Sequence, residues 1–277
     1  MGFKDNVYET LRQWGLCGVV GTLRSCMAAL NIKDHAKYRN DLEKYREQCG
    51  DNPQFRYEEK NKFPILGEWN QEAGNVDSHY FFQDIWVAQQ IARAGIKHIY
   101  DIGSRLDGYI AHLLSMDIEV TMIDVRPLKR KINGLHFIQG NATSLESIAD
   151  DSLGTLSSLH ALEHFGLGRY GDSVDYLGWK KALHAMARKI QKGGRLFLSV
   201  PVGCEEKLMF NAQRIFSPSS IIREIENEME LSVFALLHDG EVFECQMGRN
   251  EDVYGKIRNL CSKMGGYDVG MFVFIKK

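Results

Sequence analysis

Apolar and polar positions divide the chain into three stretches. Over residues 1–50 charged and apolar residues mix at helical spacing, with Asp41, Glu43, Lys44, Arg46 and Glu47 on a polar stretch, and the pattern predicts a helical extension. Asp51-Asn52-Pro53 breaks it. Residues 51–79 have weak periodicity, interrupted by Pro53, Pro64, Gly67 and Gly74, and read as a loop-rich connector, a segment suited to cover a site. Residues 80–277 are regular. Phe81 to Ala94 predicts a helix closed by Gly95, and Ile96 to Ile102 a strand rich in β-branched residues. A helix over Tyr109–Ser115 follows, then strands over Glu119–Ile123, Leu135–Gln139 and Leu153–Leu159. Trp179–Gln191 predicts a helix ended by Lys192-Gly193-Gly194, and Arg195–Val200 a fifth strand stopped by Pro201. Ser217-Pro218 opens a helix over Ser219–Glu228, and Leu231–Leu237 and Val269–Ile275 supply two more strands. Strands alternating with helices predict an α/β fold: a Rossmann-like, doubly wound, mostly parallel sheet of seven strands whose last strand inserts antiparallel, plus the N-terminal helical extension.

Composition narrows the class only slightly. The chain has 277 residues, 44% hydrophobic and 25% charged, which is ordinary for a globular protein. A formal net charge of −2 supplies no global field for a nucleic-acid backbone, so a small-molecule substrate and no nucleic-acid partner are expected. The six cysteines, at 17, 26, 49, 204, 245 and 261, form no Cys-x-x-Cys pair and no disulfide spacing, which fits inert thiols in a reducing, cytoplasmic setting. There is no signal-peptide pattern at the N-terminus. The run from Trp14 to Leu30 is interrupted by Arg24 and is too short to span a bilayer. It suits a helix packed on the catalytic domain, or one lying on a membrane surface or a protein partner.

Open parallel sheets bind ligands beyond the carboxyl ends of their strands. The loop after the first strand reads Asp101-Ile102-Gly103-Ser104-Arg105-Leu106-Asp107-Gly108. It lacks the Gly-x-Gly-x-x-Gly spacing of a pyrophosphate site, and Asp101 would repel a phosphate. A carboxylate there suits S-adenosylmethionine (SAM), which carries a sulfonium and an ammonium but no phosphate. Asp124, at the end of the second strand, is placed to accept hydrogen bonds from two ribose hydroxyls. After the third strand, Gly140-Asn141-Ala142-Thr143 offers Asn141 as a donor and an acceptor for the edge of adenine.

At these residues the chain resembles the class I SAM-dependent methyltransferases. The Asp101–Gly108 loop looks like their first motif, Asp124 like the acid of the second strand, and Asn141-Ala142 like the adenine contact. Leu159-His160-Ala161-Leu162-Glu163-His164 is similar to their fourth-strand segment, and Lys192 to Pro201 to their Gly-Gly turn and fifth strand. Arg105 departs from the glycine common at its position. The stretches Phe165–Asp172 and Phe210–Arg214 resemble a methyltransferase-like branch associated with bacterial surface-polysaccharide biosynthesis. The resemblance covers residues 80–277. It implies SAM as cofactor, held by Asp101, Gly103, Ser104, Gly108, Asp124, Asn141 and Ala142, and a small polar acceptor such as a sugar or glycan precursor.

Methyl transfer to a hydroxyl needs alignment, exclusion of water and a general base. His160 and His164, just past the fourth strand, are the candidate bases, and Glu163 a substrate contact or an orienter of a histidine. Gly166–Gly178, carrying Arg169 and Tyr170, reads as a substrate lid or as an ordinary solvated connection. Asn211 and Arg214 are candidate contacts to a polar acceptor, and His79 and Tyr80 are placed to close over the cofactor. Three rival readings stand beside this one. His160-x-x-Glu163-His164 matches an inverted zinc-peptidase signature, which requires a helix presenting both histidines to one metal. The fold could also have lost catalysis and serve as a binding protein. An NAD-dependent oxidoreductase is disfavoured by the missing phosphate loop.

Overall fold

The computed structural model describes residues 32–50, 52–70, 73, 76, 79–248, 251–262 and 268–277, so the apolar run Trp14–Leu30 lies outside the described residues. The chain forms two compact units, Met1–Val76 and Asp77–Lys277. The first carries helix α1 (Ile32–Cys49), followed by single 3-10 turns at Glu59–Asn61 and Glu68–Asn70. Within that unit Asp34 is buried and accepts from the Trp69 indole Nε1 at 3.0 Å.

The second unit opens with α2 (His79–Arg93), whose apolar stripe of Trp86, Val87, Ala88 and Ile91 is buried. Gly95, at φ +69°, lets the chain leave the helix through a left-handed turn into β1 (His98–Ile102). Next come α3 (Leu106–Ile110 as a π-helical turn, then Ala111–Ser115 as α-helix), β2 (Glu119–Asp124), β3 (Leu135–Gln139) and β4 (Leu153–Leu159). Then follow α4 (Gly178–Lys189), β5 (Ile190–Val202), β6 (Lys207–Met209), β7 (Gln213–Ile215) and α5 (Pro218–Ile225). The unit closes with β8 (Met229–His238), β9 (Glu241–Gln246), α6 (Val253–Cys261) and β10 (Asp268–Lys276).

The main sheet has the order β3-β2-β1-β4-β5-β10-β8-β9, with β6 and β7 forming a separate two-stranded sheet. β3, β2, β1, β4 and β5 are mutually parallel, whereas β10 inserts antiparallel between β5 and β8. This is the expected Rossmann-like arrangement, but with eight strands rather than seven. The additional strand, β9, pairs antiparallel with β8 through a tight Asp239-Gly240 turn in which both residues have positive φ. Its polar Glu241, Glu244 and Gln246 hide the strand in the hydrophobic pattern, because an edge strand needs no continuous apolar run. Pro201 does not stop β5. Its fixed φ is compatible with extended backbone, and it pairs with Val269 while its carbonyl accepts from the Phe216 amide at 3.0 Å.

Two apolar layers flank the sheet. α2 and α3 bury Trp86, Ile91, Tyr109 and Leu113 on one side, and α4, α5 and α6 bury Leu183, Met186, Ile221, Ile225 and Ile257 on the other. The chain order of the strands reverses between β1 and β4, and a crevice opens at their carboxyl ends, where ligands of such sheets bind. Among the described residues no helix is long and apolar enough to cross a membrane.

Candidate active site

That crevice is an open cleft at the ends of β1, β2, β3 and β4. Its walls include Gly103, Asp124, Arg126, Asn141, Ala142, Thr143, His160, His164, Tyr170 and Asp172. Gly103, Asp124, Asn141, Ala142, His160, His164 and Tyr170, expected as site residues from sequence, are therefore brought together on one surface.

Three residues of the first loop expected as cofactor contacts, Asp101, Ser104 and Gly108, do not line the cleft. Asp101 is fully buried and does not line the cleft. Its carboxylate accepts from the Ser104 amide at 3.0 Å, the Ser104 hydroxyl at 2.7 Å and the Ser157 hydroxyl at 2.6 Å. Burial pushes its pKa up to about 6, against the pull of these donors. Ser104 is buried too and spends its hydroxyl on Asp101 and on the Leu159 amide. Gly108 packs against α2, where a β-carbon would come within 2.2 Å of Asp84 Oδ2. Asp101, Ser104 and Gly108 thus shape the loop from behind the cleft wall, with the buried carboxylate satisfied by three donors of the chain itself.

Asp124 is half-buried at the cleft wall, and Arg126 already holds it. The Arg126 amide and Nε donate to Oδ1 at 2.8 and 3.0 Å, and Nη2 donates to Oδ2 at 2.7 Å. The Arg126 guanidinium lies 4.6 Å from the Tyr170 ring centroid, a cation–π contact across the cleft mouth. Asn141 is an acceptor for its own loop: Oδ1 takes the Thr143 amide at 2.9 Å and its hydroxyl at 2.8 Å.

Past β4, His160 adopts φ +50°, an uncommon conformation for a non-glycine residue, and its amide donates to the Ser199 carbonyl at 3.0 Å. Burial, followed by the neighbouring His79 and His164, holds its ring well below the ordinary histidine pKa. His164 is lowered to about 4, chiefly by burial, although its Nδ1 donates to the Ala212 carbonyl at 2.7 Å. Glu163 is fully buried, neither carboxyl oxygen finds a hydrogen-bond partner among the described residues, and burial raises its pKa to about 8. At neutral pH both histidines are unprotonated and Glu163 is un-ionised. The 3.6 Å approach of Glu163 Oε1 to His164 Nε2 is therefore a contact of neutral groups and not an ion pair. The zinc-peptidase reading fails on geometry: residues 162–164 make one 3-10 turn and His160 lies outside it with left-handed backbone, so no helix presents the two histidines to one ion.

The substrate-side residues divide. Tyr170 lines the cleft, and Arg169 stacks on it at 5.1 Å while donating to the Ala212 carbonyl. Arg214 donates instead to the carbonyls of Glu163 and Phe165, at 3.3 and 2.7 Å, tying β7 to the His164 segment. Asn211 is exposed at the β6–β7 turn and is not part of the cleft wall. β6 and β7 fold back as a hairpin that carries both residues. The Gly166–Gly178 loop is fastened to itself: the Asp175 amide donates to the Gly166 carbonyl at 3.0 Å, and Asp172 accepts from the Gly166 and Tyr170 amides.

A family model described as a Caenorhabditis protein of unknown function, DUF268, matches residues 116–225, less than half of the chain. No curated protein sequence matches it. Among solved structures, it is similar to the 1,6-didemethyltoxoflavin-N1-methyltransferase of Burkholderia thailandensis with bound S-adenosylhomocysteine, at 13% identity and TM-score 0.48, covering 73% of this chain and 80% of that one. It is similar also to a SAM-dependent methyltransferase of Archaeoglobus fulgidus, at 14% identity and TM-score 0.46, covering 70% of this chain and 94% of that one. A third is the N-methyltransferase NodS of Bradyrhizobium japonicum in complex with S-adenosylhomocysteine, at 10% identity and TM-score 0.45, covering 72% and 89%.

Sequence reasoning passed over Gln83, Asp84, Arg126 and Ser199. Gln83 and Asp84 lie on the buried face of a helix, where the periodicity expects apolar side chains, and that mismatch was the available signal. The serines that weaken the pattern of β4 were a second: Ser157 bonds Asp101, and Ser158 bonds the Ile102 carbonyl. Nothing local marks Arg126, which matters because it meets Asp124.

Proposed function

We propose that the chain is a SAM-dependent methyltransferase whose catalytic domain spans residues 80–277, and that it methylates a small polar acceptor, a sugar or glycan precursor. The observation that carries the reading is the shared cleft: Asp124 at the end of β2 and His160 and His164 beyond β4 line one cavity at the switch point of a Rossmann-like sheet. The residues present fit SAM. Asp124 accepts from the ribose hydroxyls once Arg126 gives way, and Asn141, Ala142 and Thr143 border the adenine. The backbone at Gly103, at φ +72°, permits close approach of the amino-acid end. SAM supplies an electrophilic methyl group. The chain aligns the acceptor, excludes water, and takes the acceptor proton on the Nε2 of His160 or His164, both unprotonated at neutral pH. Tyr170 and Asp172 offer polar contacts to a hydroxylated acceptor. The free thiols Cys49, Cys204, Cys245 and Cys261 agree with a reducing compartment such as the cytoplasm.

Calorimetric titration with SAM and S-adenosylhomocysteine tests the cofactor, and formation of S-adenosylhomocysteine across a panel of nucleotide sugars and free saccharides tests the acceptor. Absence of binding by either compound to the intact chain removes the proposal. A second reading, a methyltransferase-like binding protein without turnover, is favoured by the engagement of both Asp124 oxygens with Arg126. Cofactor binding with no product on any acceptor selects it.

A further inference from the structure

We propose that Gln83 is a positioning residue that fixes the His160 ring, part of the cleft wall, in its Nδ1–H tautomer and leaves Nε2 as its basic nitrogen. The consequence for turnover rests on the methyltransferase reading, whereas the tautomer itself is a property of the chain.

Gln83 is 1% exposed and its Oε1 lies 2.6 Å from His160 Nδ1. The same oxygen accepts from the Ser199 hydroxyl at 2.5 Å, and Ser199 Oγ is 3.2 Å from Nδ1. Which end of an amide faces a histidine is settled by its other partner. Here Gln83 Nε2 donates to Asp84 Oδ1 at 2.9 Å, while Asp84 Oδ2 accepts from the Tyr109 amide at 2.9 Å. An ionised carboxylate only accepts, so the NH2 faces Asp84 and the carbonyl faces the imidazole. A carbonyl oxygen cannot donate, so the hydrogen between Oε1 and Nδ1 belongs to the ring. Nε2, buried and without a hydrogen-bond partner among the described residues, keeps the lone pair.

The wiring extends to the cofactor loop. Tyr109 follows Gly108, the residue that packs on Asp84, so one pair of adjacent α2 residues holds both the start of α3 and the ring of His160. An amide orienter differs from the carboxylate of a Ser-His-Asp triad in one physical respect. It orients the ring without stabilising imidazolium, so it keeps the base neutral and available at lower pH. Two titratable neighbours act in the same sense: His79 from α2, 4.7 Å away between ring centroids, and His164 on the same segment both disfavour imidazolium, while Tyr80 packs edge-on against the ring at 5.1 Å.

The test is nitrogen-15 NMR of the histidine side chains in the full chain, with His160 assigned by the loss of its signals in His160→Gln. The expected wild-type spectrum shows Nδ1 protonated and Nε2 bare. Nε2–H in the wild type overturns the proposal, and it would mean that Asp84 is protonated and the amide is turned round. Gln83→Leu is expected to mix the tautomers and to lower turnover roughly ten- to a hundredfold, the scale of lost orienting partners, with SAM affinity unchanged. Gln83→Glu is expected to restore the tautomer and to move the acid limb of the turnover–pH profile upward. An unmoved tautomer in Gln83→Leu, or an unmoved limb in Gln83→Glu, argues against the assignment. If a variant does not fold, the wild-type spectrum alone decides. The expected tautomer without SAM binding upholds this inference and rejects the methyltransferase reading.

Discussion

Both oxygens of Asp124 are engaged by Arg126, so binding a ribose there is an exchange of partners and not the filling of an empty acceptor. The Arg126 side chain is 53% exposed, and such pairs contribute about 1 kcal/mol or less. Arg126→Ala is therefore expected to tighten S-adenosylhomocysteine binding by roughly two- to fivefold, read by calorimetry at fixed salt; weaker binding would show that the guanidinium holds the ligand. Asp124→Ala removes the acceptor itself and is expected to cost about 1.5–3 kcal/mol of cofactor binding, as for hydrogen bonds to a charged group. An unchanged dissociation constant would move the ribose elsewhere. Asp101 follows a different logic, since three donors close around it inside the core. Asp101→Ala is expected to lower unfolding stability by about 3 kcal/mol through donors left without a partner, with circular dichroism melts as the check. Full stability in that variant would refute the structural role. The acids at 101 and 124 were both legible as strand-end carboxylates, but their sequence context does not say that one faces inward and the other the cleft.

At the scale of elements, the substrate-side loop and the β6–β7 hairpin are braces. Gly166 has φ +77°, and a β-carbon there would lie 2.0 Å from the Asp175 carbonyl oxygen. Gly166→Ala is accordingly expected to open the loop and to lower Tm by several degrees, with turnover falling more than cofactor affinity, because Tyr170 and Asp172 leave the cleft wall. A variant with wild-type Tm and activity would show that the loop's internal closure is dispensable. The regular elements were readable because they obey a period: apolar faces at helical spacing over α2 and α4, β-branched runs over β1 and β2. β9 was missed because an edge strand tolerates polar residues on its open face, although the Asp239-Gly240 turn marked the hairpin. The loop and the hairpin carry no period, and their closure depends on long-range bonds such as Arg214 to Phe165.

Across the whole molecule, the groups buried beneath the cleft couple stability to pH. Glu163 is raised from 4.5 to about 8, so between those values the folded chain binds a proton that the unfolded chain has lost. Its contribution to stability therefore falls as pH rises through that window and is constant above about 8. His164, lowered from 6.5 to about 4, works in the other direction: its contribution is present above 6.5 and is lost as pH falls toward 4. Glu163→Gln should flatten the first slope alone, so its unfolding free energy relative to wild type is expected to rise between pH 5 and pH 8; a difference independent of pH would mean that Glu163 ionises normally. By itself the sequence determined the α/β class, the mostly parallel sheet with its antiparallel last strand, and the strand-end positions of Asp124, Asn141 and His160, because these follow from local periodicity and from where loops must fall. Only the tertiary structure decided which of those groups meet a ligand, which are held by Ser157, Arg126 or Gln83, and which are neutral. Burial and partnership depend on residues far apart in the chain, and local pattern carries no record of them.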